Sequence, residues 1–240
     1  VNHSLLLADS AADNQILPRF DALIIDEAHN LEKNSYNYFA QKVNLPTLIY
    51  FLNGIYSGSA PERGLLVDLT ETARQFKSLD KIELLRQMII EKSSDVKIAA
   101  EAFFRKIVNT KFNPANGTQR SFGIKKRYKD FFYEFPNLEI ETNGLIYELG
   151  TLRNLLDNLS NKMDEIWGEY AQEYDELQIR LMNQKIMAEE FLETLRKVTS
   201  ANDDSFIFWY EIAPNGKDNT VEIVCTPLNI ASNIFEKVYK

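Results

Sequence analysis

The sequence predicts a mainly α protein with a small α/β part, in which long antiparallel helices are inserted between strands. Apolar residues recur at steps of three and four over residues 80 to 110 and again from Leu149 onward, the period of a helix face. Strand-like runs, by contrast, are confined to the two ends of the chain. No sustained repeat of the kind that builds a solenoid is present.

The first element follows from "FDALIID", residues 20 to 26, a continuous apolar run after Pro18 with the length of a buried strand. Asp26 and Glu27 then stand at its C-terminal end, the edge at which open α/β sheets bind ligands. Residues 80 to 110 form a helix without internal Gly or Pro, and Ser93 and Ser94 mark the one place where it could break. The following stretch, through residue 144, mixes turn residues, aromatics and charge, and reads as a distal tip or an irregular, partly extended connection.

From Leu149 the series Leu152, Leu156, Leu159, Met163, Ile166, Tyr170, Tyr174, Leu177 and Leu181 draws the seam of a helix lying along a partner. It resumes at Phe191, Leu195 and Val198, so one or two helices cover residues 150 to 199, up to ~75 Å if unbroken. Their antiparallel mate is the helix over 80 to 110. "SFIFWYEI" and "TVEIVCTPL", joined by "APNGKDN", form a hairpin, and "NIASNIFEKVYK" a short closing helix. The chain therefore leaves a small sheet after about residue 35 and rejoins it near residue 205.

Composition bounds the chemistry. A chain of 240 residues, 45% hydrophobic and 26% charged, has the makeup of a soluble globular protein, and no window is apolar enough to span a bilayer. One cysteine and two histidines preclude an internal disulfide framework, an ordinary Cys/His zinc site and an iron–sulfur cluster held by this stretch itself. A reducing cytoplasm is the expected setting. The net charge of -8 opposes a nucleic-acid partner, yet Arg105 to Lys129 holds eight basic residues and no acidic one.

The opening strand ends in "DEAH", residues 26 to 29. Adjacent carboxylates at a strand end suit nucleotide hydrolysis, one holding Mg²⁺ and the other positioning and deprotonating water. The plainer alternative is a helix start, where acids favour the positive end of the dipole. "VNHSLLLADS" followed by "LPRFDALIIDEAHNLE" resembles the DinG-type, XPD-like superfamily 2 DNA helicases, whose Asn-His-x-Leu-Leu segment precedes an Asp-Glu-Ala-His box. "VCTPLNIASNIFEKVY" is similar to the family's return to the first motor domain.

The resemblance implies that Asp26 and Glu27 serve Mg²⁺ and ATP, Glu27 being the general base, and that His29 couples the nucleotide to neighbouring motor elements. It divides the chain into a motor piece over 1–35, a helical arch over 36–204 beside single-stranded DNA, and a return to a P-loop-type motor domain over 205–240. It implies 5′ to 3′ translocation, a role in DNA repair, and DNA strands or junctions as partners. An iron–sulfur cluster, common in the family, would lie upstream of this stretch. The phosphate loop is absent, Gly216-Lys217 being followed by Asp218, so the chain is expected to be an inactive piece of a larger enzyme.

The basic stretch "RSFGIKKRYKDFFYEF" supplies the candidate DNA contacts Arg120, Phe122, Lys125, Lys126, Arg127, Tyr128 and Lys129: cations for phosphates, rings for unstacked bases. The competing readings are a solvated charged face over the insertion's own aromatic core, or a protein dock. A rival for the whole chain is a helical protein-interaction module whose Asp-Glu-Ala-His is inert. Trp167, Tyr170 and Tyr174 read as packing residues and Cys225 as a buried, inert thiol.

Overall fold

The computed structural model describes residues 2–11, 17–18, 22, 24–111, 123–167, 171–213 and 221–229. Helix α1 spans His3–Ala11 and α2 spans His29–Tyr38. Asn2 caps α1, its side-chain oxygen accepting from the Leu5 amide at 2.7 Å. Leu6, Leu7 and Leu31 join the two helices in a small cluster of their own, apart from the main core.

Strand β1, Gln41–Asn44, runs straight into α3, Leu45–Ile55. Asn44 is extended and its side chain accepts from the Thr47 amide at 2.8 Å, with Pro46 in the first turn, so three residues turn a strand into a helix. Helix α4, Leu65–Gln75, starts after Gly64, whose φ of 117° only glycine adopts easily. Helix α5 then runs unbroken over Leu79–Lys111. The possible break at Ser93 and Ser94 does not occur; the buried Ser93 hydroxyl is satisfied inside the helix, donating to the Ile89 carbonyl one turn back at 2.8 Å.

Strand β2, Ile124–Tyr128, and a one-turn helix α6, Phe131–Glu134, lead to α7, Glu139–Trp167, and α8, Ala171–Ser200. The seam read from Leu149 is therefore shared by two helices. Arg153 reaches Glu189, Lys185 reaches Asp157 and Gln178 reaches Asp164, partners that descend along α8 as they ascend along α7. Ser78 and Trp167, Lys92 and Glu148, and Lys106 and Glu141 likewise set α5 antiparallel to α7, the expected mate.

The hairpin β3, Phe206–Ile212, and β4, Val221–Pro227, forms as expected, and the sheet order is β1-β4-β3-β2, all antiparallel. Phe208, Tyr210, Ile212, Val221, Ile223 and Cys225 face inward and share one core with α5, α7 and α8. The sheet thus draws strands from both sides of residue 205. Among the described residues, the strand from which the chain departs into the helices is β1. At the described positions of the run over residues 20 to 26, Ala22, Ile24, Ile25 and Asp26, there is no strand, and Ile24 is 96% exposed. A buried strand needs a paired neighbour on its hydrogen-bonding edges, and none of the four described strands pairs with these residues. Of the two readings of residues 112–144, the partly extended connection agrees with β2, which joins the sheet edge, whereas the end of the stretch is helical, α7 beginning at Glu139. The closing helix expected after Asn229 lies outside the described residues.

Candidate functional site

Asp26, Glu27 and Ala28 form the turn that enters α2, whose first residue is His29, and all four are exposed. The Glu27 amide donates to Asp26 Oδ1 at 3.0 Å, and Glu27 takes a φ of 50°, a left-handed conformation uncommon outside glycine. The Glu27 carboxylate lies 3.2 Å from His29 Nδ1. The Asn30 amide closes the turn by donating to the Glu27 carbonyl at 2.8 Å.

The Asn-His segment lies against this turn although it is 23 residues away in sequence. His3 Nε2 sits 2.9 Å from the Asp26 carbonyl, and the Asn34 amide donates to His3 Nδ1 at 3.0 Å. Nδ1 is thereby an acceptor, which leaves the ring proton on Nε2 to donate to that carbonyl. Asn34, one turn and a half into α2, carries no sequence signal that would have found it.

Asp26 and Glu27 are consecutive and exposed, one Asp26 oxygen accepting from the Glu27 amide and the Glu27 carboxylate lying beside His29. Mg²⁺ on nucleotide phosphates takes one or two protein carboxylates and completes its shell with phosphate and water, so this donor set fits such an ion. Among the described residues no group of three or more His, Cys, Asp or Glu side chains could hold a metal without such a ligand.

The basic stretch is divided by the pleat of β2. Arg120 and Phe122 lie outside the described residues. Lys125 and Arg127 project from the outer face, opposite Glu211 and Trp209 on β3. Lys125 pairs with Glu211 and its ammonium stands 5.5 Å from the Trp209 ring centre. Arg127 and Lys129 have no ion-pair partner among the described residues, and both line a cleft of about 380 Å³ with Asp203, Asp204, Phe206 and Ile207. Ser205 donates its hydroxyl and amide to Asp203, holding that carboxyl below its usual range.

Tyr128 and Lys126 face the other way, and the structure corrects the reading of Tyr128 as a base-stacking ring. It is buried between Phe131 and Phe208, and its hydroxyl donates to the Val198 carbonyl at 2.8 Å. Burial pushes that hydroxyl well above the usual phenol range. A ring enclosed on both sides has no face for a base. Phe131 is buried too, whereas Tyr133 is 84% exposed.

Lys126 reaches under the strand to Glu134, 2.8 Å from Oε2. Glu134 is a buried carboxylate that sequence reasoning missed. Lys111, from the end of α5, and the Tyr210 hydroxyl, at 2.8 Å, also donate to it. Burial alone would raise its pKa, but the bonds from Lys111, Lys126 and Tyr210 outweigh that and hold the carboxyl below its ordinary value. The signal was a lone acid inside "FFYEF", since an acid in an apolar run needs buried partners. The candidate contacts on the outer sheet face are therefore Lys125, Arg127 and Lys129, with Trp209 beside them.

No protein-family model matches the chain. Among curated proteins it is similar to the 3'-5' exonuclease DinG of Bacillus subtilis strain 168, at 26% identity over 234 residues, 95% of this chain. That likeness supports a DinG-like relationship. The chain spans 24% of the length of that relative.

Proposed function

We propose that this chain is the box-bearing and arch-like portion of a DinG-type, ATP-dependent DNA helicase that moves 5′ to 3′ and serves DNA repair. The observation that carries this reading is that the likeness to DinG extends along nearly the whole chain, acidic turn and long helices together. In it, residues 1–35 belong with a motor and the helices of 36–204 with the arch, which takes β3 and β4 with it because they share its sheet and core, the return to the motor following after β4. The exposed Asp26 carboxylate would hold the Mg²⁺ of bound ATP, which would neutralise phosphate charge, and Glu27 would accept the proton of the attacking water. His29, 3.2 Å from Glu27, reports the state of that carboxylate to α2. Single-stranded DNA follows the outer sheet face at Arg127, Lys129 and Trp209.

Magnesium-dependent ATP hydrolysis by the full-length protein, measured with and without single-stranded DNA, tests the reading. Glu27→Gln is expected to abolish the activity, as loss of a general base removes about 10² to 10⁴ in rate. The 240-residue chain alone is expected to be inactive. Full activity in Glu27→Gln would sink the motor assignment.

A second reading is favoured by the relative's printed name, that of an exonuclease. There the chain guides DNA for a nuclease elsewhere in the protein, and digestion of a 3′-labelled strand would proceed unchanged in Glu27→Gln.

A further inference from the structure

We infer that His3 is a positioning residue for the acidic turn, acting through the Asp26–Glu27 peptide group; this rests on the ATP-hydrolysing reading of that turn. That peptide is tied at both ends. Its carbonyl oxygen accepts from His3 Nε2 at 2.9 Å, and its N–H donates to Asp26 Oδ1 at 3.0 Å.

The plane so fixed matters because Glu27 has a φ of 50°. A residue of this type leaves the left-handed region readily unless its surroundings hold it there. Rotation of the Asp26–Glu27 plane would swing the Glu27 side chain and release the Asp26 carboxylate from its amide partner at the same time. Both carboxylates therefore take their aim from one carbonyl.

His3 can act on that carbonyl only as a donor, and two contacts make it one. The Asn34 amide, 3.0 Å from Nδ1, selects the tautomer with the proton on Nε2. The Asn2 side chain caps α1 by accepting from the Leu5 amide at 2.7 Å, which fixes where that helix, and so His3, begins. Adjacent Asn and His thus have separate tasks: one anchors a helix, the other grips the turn across 23 residues of chain.

The test compares His3→Gln, His3→Phe and Glu27→Gln in the full-length protein, with Tm measured for each. Glutamine can place an amide N–H near the Nε2 position, while phenylalanine fills the ring's space with no donor. The expected result is a fall in kcat of about 10- to 100-fold for His3→Phe, the scale of a misplaced catalytic group, with KM for ATP little changed. His3→Gln should recover most of it at similar Tm. If Glu27→Gln abolishes hydrolysis but His3→Phe keeps wild-type kcat, or if His3→Gln and His3→Phe lose kcat alike, the positioning role is overturned and the helicase reading stands. If hydrolysis is absent from the wild-type protein or unaffected by Glu27→Gln, the helicase reading falls and this inference falls with it.

Discussion

Tyr128 and Lys126 show how neighbouring residues of one basic run acquire opposite roles. Tyr128 belongs to the core, so Tyr128→Phe is expected to cost about 1 kcal/mol in urea denaturation, the worth of its bond to the Val198 carbonyl, and to leave oligonucleotide binding unchanged. Weaker binding at unchanged stability would restore the ring to the DNA path. Glu134 carries more. Glu134→Ala strands Lys111, whose side chain is 17% exposed, and should cost about 3 kcal/mol, whereas Lys126→Ala should cost less than about 1 kcal/mol because that side chain is 58% exposed. Since the folded carboxyl titrates below its ordinary 4.5, its stabilising share is complete above that pH and is lost as pH falls through the folded value. Wild-type stability should therefore drop below pH 4.5 with a steeper slope than in Glu134→Gln, which has no carboxyl to protonate. Equal slopes would show that the network contributes nothing to acid unfolding.

At the scale of elements, two glycines separate propensity from geometry. Gly144 sits inside α7 with nothing within 4 Å of where a Cβ would stand, and its φ is not in the left-handed region. Gly144→Ala should stabilise by about 0.5 to 1 kcal/mol, since alanine has less chain entropy to lose on folding. Gly64 opens α4 at a φ of 117°, and an added Cβ would lie 2.7 Å from the Ile55 carbonyl oxygen, so Gly64→Ala should destabilise by more than about 1 kcal/mol. Thermal unfolding of the pair decides the point, and a shift of the same sign in both would contradict it. The long helices themselves are held by their seams: Leu152, Leu156 and Leu159 are fully buried on α7, in one core with Ile89, Val96 and Phe103 of α5. Cys225 of β4 belongs to the same core, its thiol pushed up to about 11 by burial, which keeps it unreactive at neutral pH.

Over the whole molecule the charge is negative, and any phosphate-binding surface must work against it. Lys42 is matched with Glu222 and Lys125 with Glu211, so the cations left without an ion-pair partner among the described residues of this face are Arg127 and Lys129, in a cleft that Asp203 and Asp204 also line. Single-stranded oligonucleotide binding, followed by anisotropy over a range of salt, is expected to weaken as salt rises. Changing Arg127 and Lys129 together to Ala should reduce the slope of log K against log salt by about 1.4, roughly 0.7 for each phosphate left without its cation. Lys126→Ala should leave the slope alone. A slope unchanged by the double substitution would move the DNA path off this face.

The sequence by itself determined the helical frame and the terminal hairpin, because each rests on a local pattern that neighbouring residues reveal. Apolar steps of three and four identified α5 and the α7–α8 seam, and two apolar runs on either side of the turn residues "APNGKDN" identified β3 and β4. It also determined where carboxylates adjoin, since Asp26 and Glu27 are neighbours in the chain. Only the tertiary structure decided which side of β2 each basic residue faces, because a strand with two apolar residues in five has no pattern until it pairs with β3. Only the tertiary structure joined His3 and Asn34 to the Asp26 turn and gathered Lys111, Lys126 and Tyr210 on Glu134. Those contacts span 23, 31, 23, 8 and 76 residues, distances over which a sequence has no period and the fold alone sets who meets whom.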